Sequence, residues 1–251
     1  GIMSLGFVKR KISFIAEGAK TIKYDFPNML IETKPFETDI PLGFWRAVYD
    51  SQNSFANECF IDELAFHGKI DPVKLRLKHL DPSSRTSNVI KTAAKDFGWG
   101  QKLEDNHFQG FAYHHSFGTH VAEVAEISIS KSNKVKVHKV GCVVDCGQTV
   151  NPMTIRAQMQ GSIVYGIAAT LKSHITVREG RISQSNYDDY KVLRMDEMPL
   201  IDVRIIENNE SPGGVGEPGL PPIAPALANA VFAATGKRVR KLPIMPEDLA
   251  A

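Results

Sequence analysis

No apolar run in this 251-residue chain approaches the ~18 residues that a membrane-spanning helix requires, so no transmembrane span is expected. Cysteine is scarce. Cys59, Cys142 and Cys146 cannot build a disulfide framework, and a reducing compartment is the default expectation, with the location left open. Neither sign of charge dominates: 30 Lys and Arg face 28 Asp and Glu. That balance gives no reason to expect nucleic acid or an anionic lipid surface as a partner. The opening "GIMSLGFVKRKISF" is basic but lacks a long apolar core and a cleavage site, so it does not read as a signal peptide. Gly1 and Ile2 ahead of Met3 read as a cloning remnant. There is no repeat, no low-complexity stretch, no P-loop and no G-x-G-x-x-G. What is present, 43% hydrophobic and 23% charged residues, is ordinary for a globular chain of one large domain or two smaller ones.

Short apolar alternations over residues 5–34 read as strands, with turns at Gly18 and Pro27. Phe55, Cys59, Phe60 and Leu64 then recur at helical spacing, which predicts a helix over 51–67, capped by Asp50 or Ser51 and stopped at Gly68. A short helix follows at Pro72, and a third ends before Gly98. "GFAYHHSFGTHVAEVAEISIS" and "KVKVHKVGCVVDCG" suit an antiparallel pair turning near Ser132–Asn133. A helix begins at Pro152, where Gly161 and Gly166 predict close packing against another backbone. A hairpin at Glu179–Gly180, the strand "LIDVRIIEN" and a helix from Pro222 to Thr235, ended by Gly236, complete the chain. Strands and helices fall in blocks without a βαβ beat, which predicts an α+β fold. A boundary between residues 80 and 105 divides it into units of 1–85 and 86–251.

Three groups of residues carry possible chemistry. Cys142, Asp145 and Cys146, with His138 upstream, have a spacing poor for zinc, and alternation turns 145 away from the two cysteines; they read as buried strand residues. His114, His115 and His120 on one strand would put 114 and 120 on one face and 115 on the other, a structural arrangement rather than a ligand set. Glu217 differs. Gly213, Gly214 and Gly216 ahead of it permit positive φ and close backbone approach, and Pro218, Pro221 and Pro222 fix the exit. A carboxylate on so stiff a loop is either a placed acid or base, a helix cap, or a solvated turn residue.

At this loop the chain resembles a known family. "GVGEPGLPPIAPALANAVFAATGKRVRKLP" is similar to the C-terminal signature of the molybdenum hydroxylases, the xanthine dehydrogenase and aldehyde oxidase family. "WRAVYDSQNSFANECFIDELA", "HSFGTHVAEVAEISI", "VVDCGQTVNPMTIRAQMQGSIVYGIA" and "QSNYDDYKVLRMDEMP" agree in the same order, most of all with the isoquinoline 1-oxidoreductase branch, in its large (beta) chain. The resemblance implies a molybdopterin cofactor, in its cytosine dinucleotide form, whose metal is held by the pterin and not by protein side chains. It implies hydroxylation of an N-heteroaromatic or aldehyde substrate with oxygen from water. Electrons would leave through an iron–sulfur small subunit. It implies that Glu217 is the general base that deprotonates the molybdenum-bound hydroxyl. Gln158, followed by Gly161, would lie beside the cofactor together with Gly214 and Gly216, and Arg46 would line the substrate pocket. The family has an aromatic two residues after that arginine, where this chain has Val48.

The departures from the family are equally specific. No G-G-G-F-G-G-K-like or G-M-G-Q-like cofactor loop is present, and no CxxC-type iron–sulfur motif. The chain matches only the C-terminal third of a large subunit, with 1–85 and 86–251 corresponding to a partial first and a second molybdopterin-binding-like subdomain. Two readings stay open. The chain is a cofactor- and substrate-facing piece that works with the missing N-terminal part of the large subunit, or it is a non-catalytic remnant. Either way, cofactor is expected to be absent from this chain alone.

Overall fold

The computed structural model describes residues 16–34, 38–40 and 42–250. A four-stranded sheet forms its centre. Strands β1 (Phe108–Ser116), β2 (Thr119–Ile129) and β3 (Val135–Asp145) run as an antiparallel meander. After a small ribbon, β4 (Val177–Arg178) and β5 (Arg181–Ile182), strand β6 (Leu200–Ile205) returns parallel to β3, giving the order β1-β2-β3-β6. The helices are α1 (Val48–His67), α2 (Pro72–Lys78), α3 (Arg85–Asp96), α4 (Pro152–Leu171) and α5 (Ile223–Thr235). The α+β expectation holds.

Alternation along the strands sends side chains into two separate cores. Ala112, Val121, Ala125, Cys142 and Val144 pack with Met159 and Ile163 of α4 and with Ala226 and Leu227 of α5. On the opposite face Phe111, Tyr113, Val124 and Val143 meet Ile61 and Ala65 of α1 and Val89, Ile90 and Ala93 of α3. Full burial of one such aliphatic or aromatic side chain stabilises by ~1.5–3 kcal/mol. The two layers close in on glycines: a Cβ at Gly110 would lie 2.0 Å from the Ala226 carbonyl oxygen, and one at Gly141 2.0 Å from the Phe97 ring.

Edge strand β1 is sealed by side chains. The Tyr113 N–H donates to Glu58 Oε2 at 2.9 Å, and Asn229 Nδ2 donates to the Phe111 carbonyl at 3.1 Å. Edge groups satisfied in this way are not available to another chain.

Several expectations need correction. The segment 110–130 is a hairpin and not one strand, because Phe117 (φ 53°) and Gly118 (φ 76°) both turn left-handed, as tight hairpins require. His115 therefore pairs with His120 across the hairpin, on one face, and His114 points to the other. Residues 16–34 keep the turn at Gly18 and a bend at Pro27 but contain no strand, and 5–15 lie outside the described residues. Their alternation reflects packing: Ile22, Tyr24 and Phe26 join the second core without a ladder. Helix α1 starts at Val48, so Asp50 is not its cap; it is buried inside the first turn, where it accepts from His114 Nε2 at 2.7 Å. Gly166 does pack closely, with its Cβ position 2.2 Å from Ile223, whereas Gly161 faces open space. Cys142 and Cys146 are buried core residues.

Candidate functional site

The loop 211–219 has no regular structure, yet its path is fixed by the β1–β2 turn. The Gly213 N–H donates to the Cys146 carbonyl and the Gly214 N–H to the Phe117 carbonyl, each at 2.8 Å. Thr119 Oγ1 donates to the Gly214 carbonyl at 2.7 Å. A Cβ at Gly213 would sit 2.5 Å from Thr119 Oγ1 and 2.7 Å from the Gly118 carbonyl oxygen. None of Gly213, Gly214 and Gly216 uses a positive φ, so the expected left-handed backbone is absent. What requires glycine at 213 is contact. Beyond Glu217, the buried Gly219 lies against Met159 and Ser162 of α4.

This loop brings Glu217 to the N-terminus of α1. Glu217 Oε1 accepts the Ala47 N–H at 2.9 Å. Ala47 precedes the helix and has no side-chain cap of its own. A carboxylate from 170 residues away therefore does the work of a local cap, at the positive end of the helix dipole. Glu217 Oε2 has no hydrogen-bond partner among the described residues.

Arg46 ties the same turn to two other segments. Its Nε donates to the Gly216 carbonyl at 2.8 Å, and Nη2 donates to that carbonyl and to Gln158 Oε1, the latter at 2.9 Å. Burial lowers the Arg46 pKa, and the charges of Glu217 and Tyr165 oppose that. Gln158 keeps its amide nitrogen without a partner among the described residues. Beside these groups lie two exposed glycines, Gly161 and Gly216, where a Cβ would meet nothing within 4 Å. Three residues singled out from sequence, Arg46, Gln158 and Glu217, thus meet at one place with Gly161 and Gly216; Gly214 lies behind, on the hairpin turn. Val48 is half-buried and opens α1.

The backbone at this turn is strained. Ala47 has φ 67° and Val48 φ 44°. A left-handed β-branched residue is an outlier, and such positions cost on the order of 1–3 kcal/mol each, persisting only where the surroundings over-determine them. Trp45 stacks on Tyr165 of α4, with ring centroids 5.0 Å apart and 24° between planes. Glu17 lies close by: burial and then the Asp50 charge raise its pKa, with a smaller contribution from Glu217. Sequence reasoning missed Ala47, Trp45, Tyr165, Glu17 and the Asp50–His114 pair, since each acts through a partner distant in sequence.

A second polar group sits under the hairpin that holds the loop. Tyr113 Oη and His120 Nδ1 are 2.7 Å apart, and Thr86 Oγ1 lies 3.0 Å from the phenol oxygen. The rings of His115 and His120 lie 4.5 Å apart. Burial, reinforced by Lys23, His114 and Arg85, pushes His115 down to about 4; burial and then His115 and Arg85 push His120 down to about 3. Asp50 and Asp145 oppose these shifts. Both imidazoles fold neutral. Above the unfolded value of 6.5 they cost nothing. As pH falls below it, the unfolded chain takes up protons first, so stability declines until pH reaches the folded values. His115 Nδ1 has no partner among the described residues, so His115→Gln is expected to fold well and to lose part of this acid sensitivity. Melting temperatures from pH 7 to 4 check this; a variant curve parallel to wild type counts against it.

The sequence model for a molybdopterin cofactor-binding domain matches residues 61–199. The beta chain of the isoquinoline 1-oxidoreductase of Brevundimonas diminuta is 34% identical over 90% of this chain and 29% of its own length. A nicotinate dehydrogenase chain of Pseudomonas putida is 34% identical over 91% of this chain and 21% of its own. The chain therefore spans less than a third of the length of either relative. Among solved structures, the aldehyde oxidoreductase of Desulfovibrio desulfuricans shares the fold, with a TM-score of 0.67 at 13% identity over 82% of this chain and 41% of that one. The matched domain contains Gln158 and Gly161; Arg46 and Glu217 lie outside it.

Proposed function

The chain belongs to the molybdenum hydroxylase family, and on that premise we propose that it supplies the base and part of the cofactor pocket of a large subunit hydroxylating an N-heteroaromatic or aldehyde substrate. The observation that carries this reading is the convergence of Arg46, Gln158 and Glu217, from three separate segments, beside two glycines with open faces. This arrangement fits a molybdopterin. Gln158 Nε2 has no acceptor among the described residues, the guanidinium of Arg46 favours an anionic group, and Gly161 and Gly216 leave room for a large ligand to approach.

When bound, the cofactor supplies the redox chemistry: a substrate C–H becomes C–OH, water provides the oxygen, and two electrons and two protons leave. The residues of this chain bind and orient. Gln158 and Arg46 hold the cofactor side of the pocket, and the glycines admit it. Glu217 takes the proton from the water-derived nucleophile on the oxygen that no described residue bonds. General-base catalysis requires that oxygen to stay within hydrogen-bond reach, about 2.6–3.2 Å, of the proton it removes. A loop bonded to the β1–β2 turn meets that need.

The cofactor is read as the cytosine dinucleotide form. Its remaining contacts come from the rest of the large subunit, and electrons pass to an iron–sulfur small subunit. The exposed Leu42 and Phe44, a few residues ahead of Arg46 in the chain, are apolar surface suited to being covered by that remainder. A second reading rests on the Ala47 contact: Glu217 is a helix cap and nothing more.

The test is assembly. Co-produced with the remainder of the large subunit and the iron–sulfur partner, the chain is expected to enter a complex with near-stoichiometric molybdenum. Turnover in isotopically labelled water should label the product. Purified alone, the chain is expected to hold essentially no molybdenum, because so few contacts cannot offset the ordering of a large dinucleotide. Full molybdenum in the lone chain, or product oxygen drawn from dioxygen, contradicts the reading.

A further inference from the structure

Glu217 touches this chain's backbone through a turn that no sequence signal announces, and that turn is held from outside. We infer that the Trp45–Tyr165 stack is a positioning element: it clamps the left-handed Ala47–Val48 turn against α4, so that the Ala47 N–H pins one oxygen of Glu217 and leaves the other for proton transfer. The inference rests on the reading of Glu217 as base and adds which residues aim it.

The geometry gives each part a task. Left-handed backbone at Ala47 and Val48 does not persist unaided. Within the turn, the Val48 N–H donates to the Trp45 carbonyl and the Asp50 N–H to the Ala47 carbonyl, both at 2.9 Å. These bonds close the turn but do not fix it in space. Contacts of Arg46 and of Trp45 with α4 tie it down. Arg46 binds Gln158 and Gly216, and Trp45 lies flat on Tyr165. Gln158 and Tyr165 are seven residues apart on α4, two turns along one face. The turn is thus attached to one helix through two consecutive residues directly ahead of Ala47, and the Ala47 N–H is held where it meets Glu217. Ala47 is fully buried, so no water competes for that donor. A carboxylate held by one oxygen through a fixed donor has its second oxygen fixed as well, which is what a base on an otherwise irregular loop needs.

The test separates positioning from fold and from function. Tyr165 is 43% exposed, so Tyr165→Ala should fold. Hydrogen exchange at the Ala47 amide is expected to accelerate roughly 10–100-fold in Tyr165→Ala, as for loss of a hydrogen bond to a charged group. Exchange in α5 should stay at the wild-type rate, and Tyr165→Phe, which keeps the ring, should restore Ala47 protection. In the assembled enzyme Tyr165→Ala is expected to lower kcat with KM and molybdenum content near wild type, and Tyr165→Phe to recover kcat. Unchanged Ala47 exchange in Tyr165→Ala overturns the inference. So does fast exchange with normal kcat in an enzyme that Glu217→Gln cripples. If Glu217→Gln itself turns over normally, the reading of Glu217 as base has failed, and Ala47 exchange alone still decides whether the stack holds the turn.

Discussion

Glu217→Gln in the assembled enzyme is expected to slow substrate-driven reduction by about 10²–10⁴-fold, the usual worth of a general base, while molybdenum content stays near wild type. The amide keeps the size of the side chain and an oxygen that can still accept the Ala47 N–H, so the loop and the start of α1 should persist. The substitution therefore separates two readings of one residue. A cap needs an acceptor, which glutamine retains. A base needs a proton-accepting oxygen with useful basicity, which glutamine lacks. If Glu217 only caps α1, Glu217→Gln should turn over almost normally, and Glu217→Ala should cost ~0.5–2 kcal/mol of stability. Reduction rates per bound molybdenum, read beside melting curves of both variants, decide it. A rate within about threefold of wild type, far below the general-base range, removes the residue from the mechanism.

Arg76→Met is expected to cost ~3–5 kcal/mol, since removing one partner of a buried pair strands the other. Arg76 is fully buried and Glu58 nearly so. Arg76 Nε donates to Glu58 Oε2 at 2.9 Å, Nη2 to the Glu58 carbonyl and Nη1 to the Pro72 carbonyl. Tyr24 Oη donates to Glu58 Oε1 at 2.7 Å. Burial alone would lower the Arg76 pKa, and Glu58, with smaller contributions from Tyr24 and Asp62, more than reverses that. The same carboxylate takes the Tyr113 N–H at the sheet edge, so the lost charge partner is felt by α1, α2 and β1 together. Against a total stability of ~5–15 kcal/mol the loss is large. Urea melts should show a lower midpoint with an unchanged slope. Arg240→Ala, which breaks an exposed pair with Glu63, should leave the midpoint nearly unmoved. If Arg76→Met moves it no further than Arg240→Ala does, the pair is not holding these elements.

Sequence patterning was most legible where structure is local. Gly236 ends α5 in the left-handed conformation, and Pro72 and Pro152 open α2 and α4 where the missing N–H costs nothing. The Glu217 loop stood out for its glycines and prolines, although the reason proved to be contact with the β1–β2 turn and not backbone chirality. The rest was illegible for a common cause. The turn in "HHSFGTH" is marked only by Gly118, since Phe117 takes its left-handed angle without any residue preference to announce it. The start of α1 lacks a local cap because its acceptor comes from Glu217, and Asp50, which looks like a cap, is occupied by His114. In residues 16–34 a strand-like alternation packs side chains into a core without finding a partner strand.

The links from Arg46 to Gly216 and from Ala47 to Glu217 each join residues 170 positions apart. Closing contacts of such long range costs more chain freedom than closing local ones, and that cost is offset only when the chain between them is ordered as well. The hairpin that holds the loop, and the helix carrying Gln158, both lie inside that interval. A chain caught midway through folding can therefore own its sheet and still present no carboxylate at the head of α1. The pocket is in this sense a certificate of completed folding.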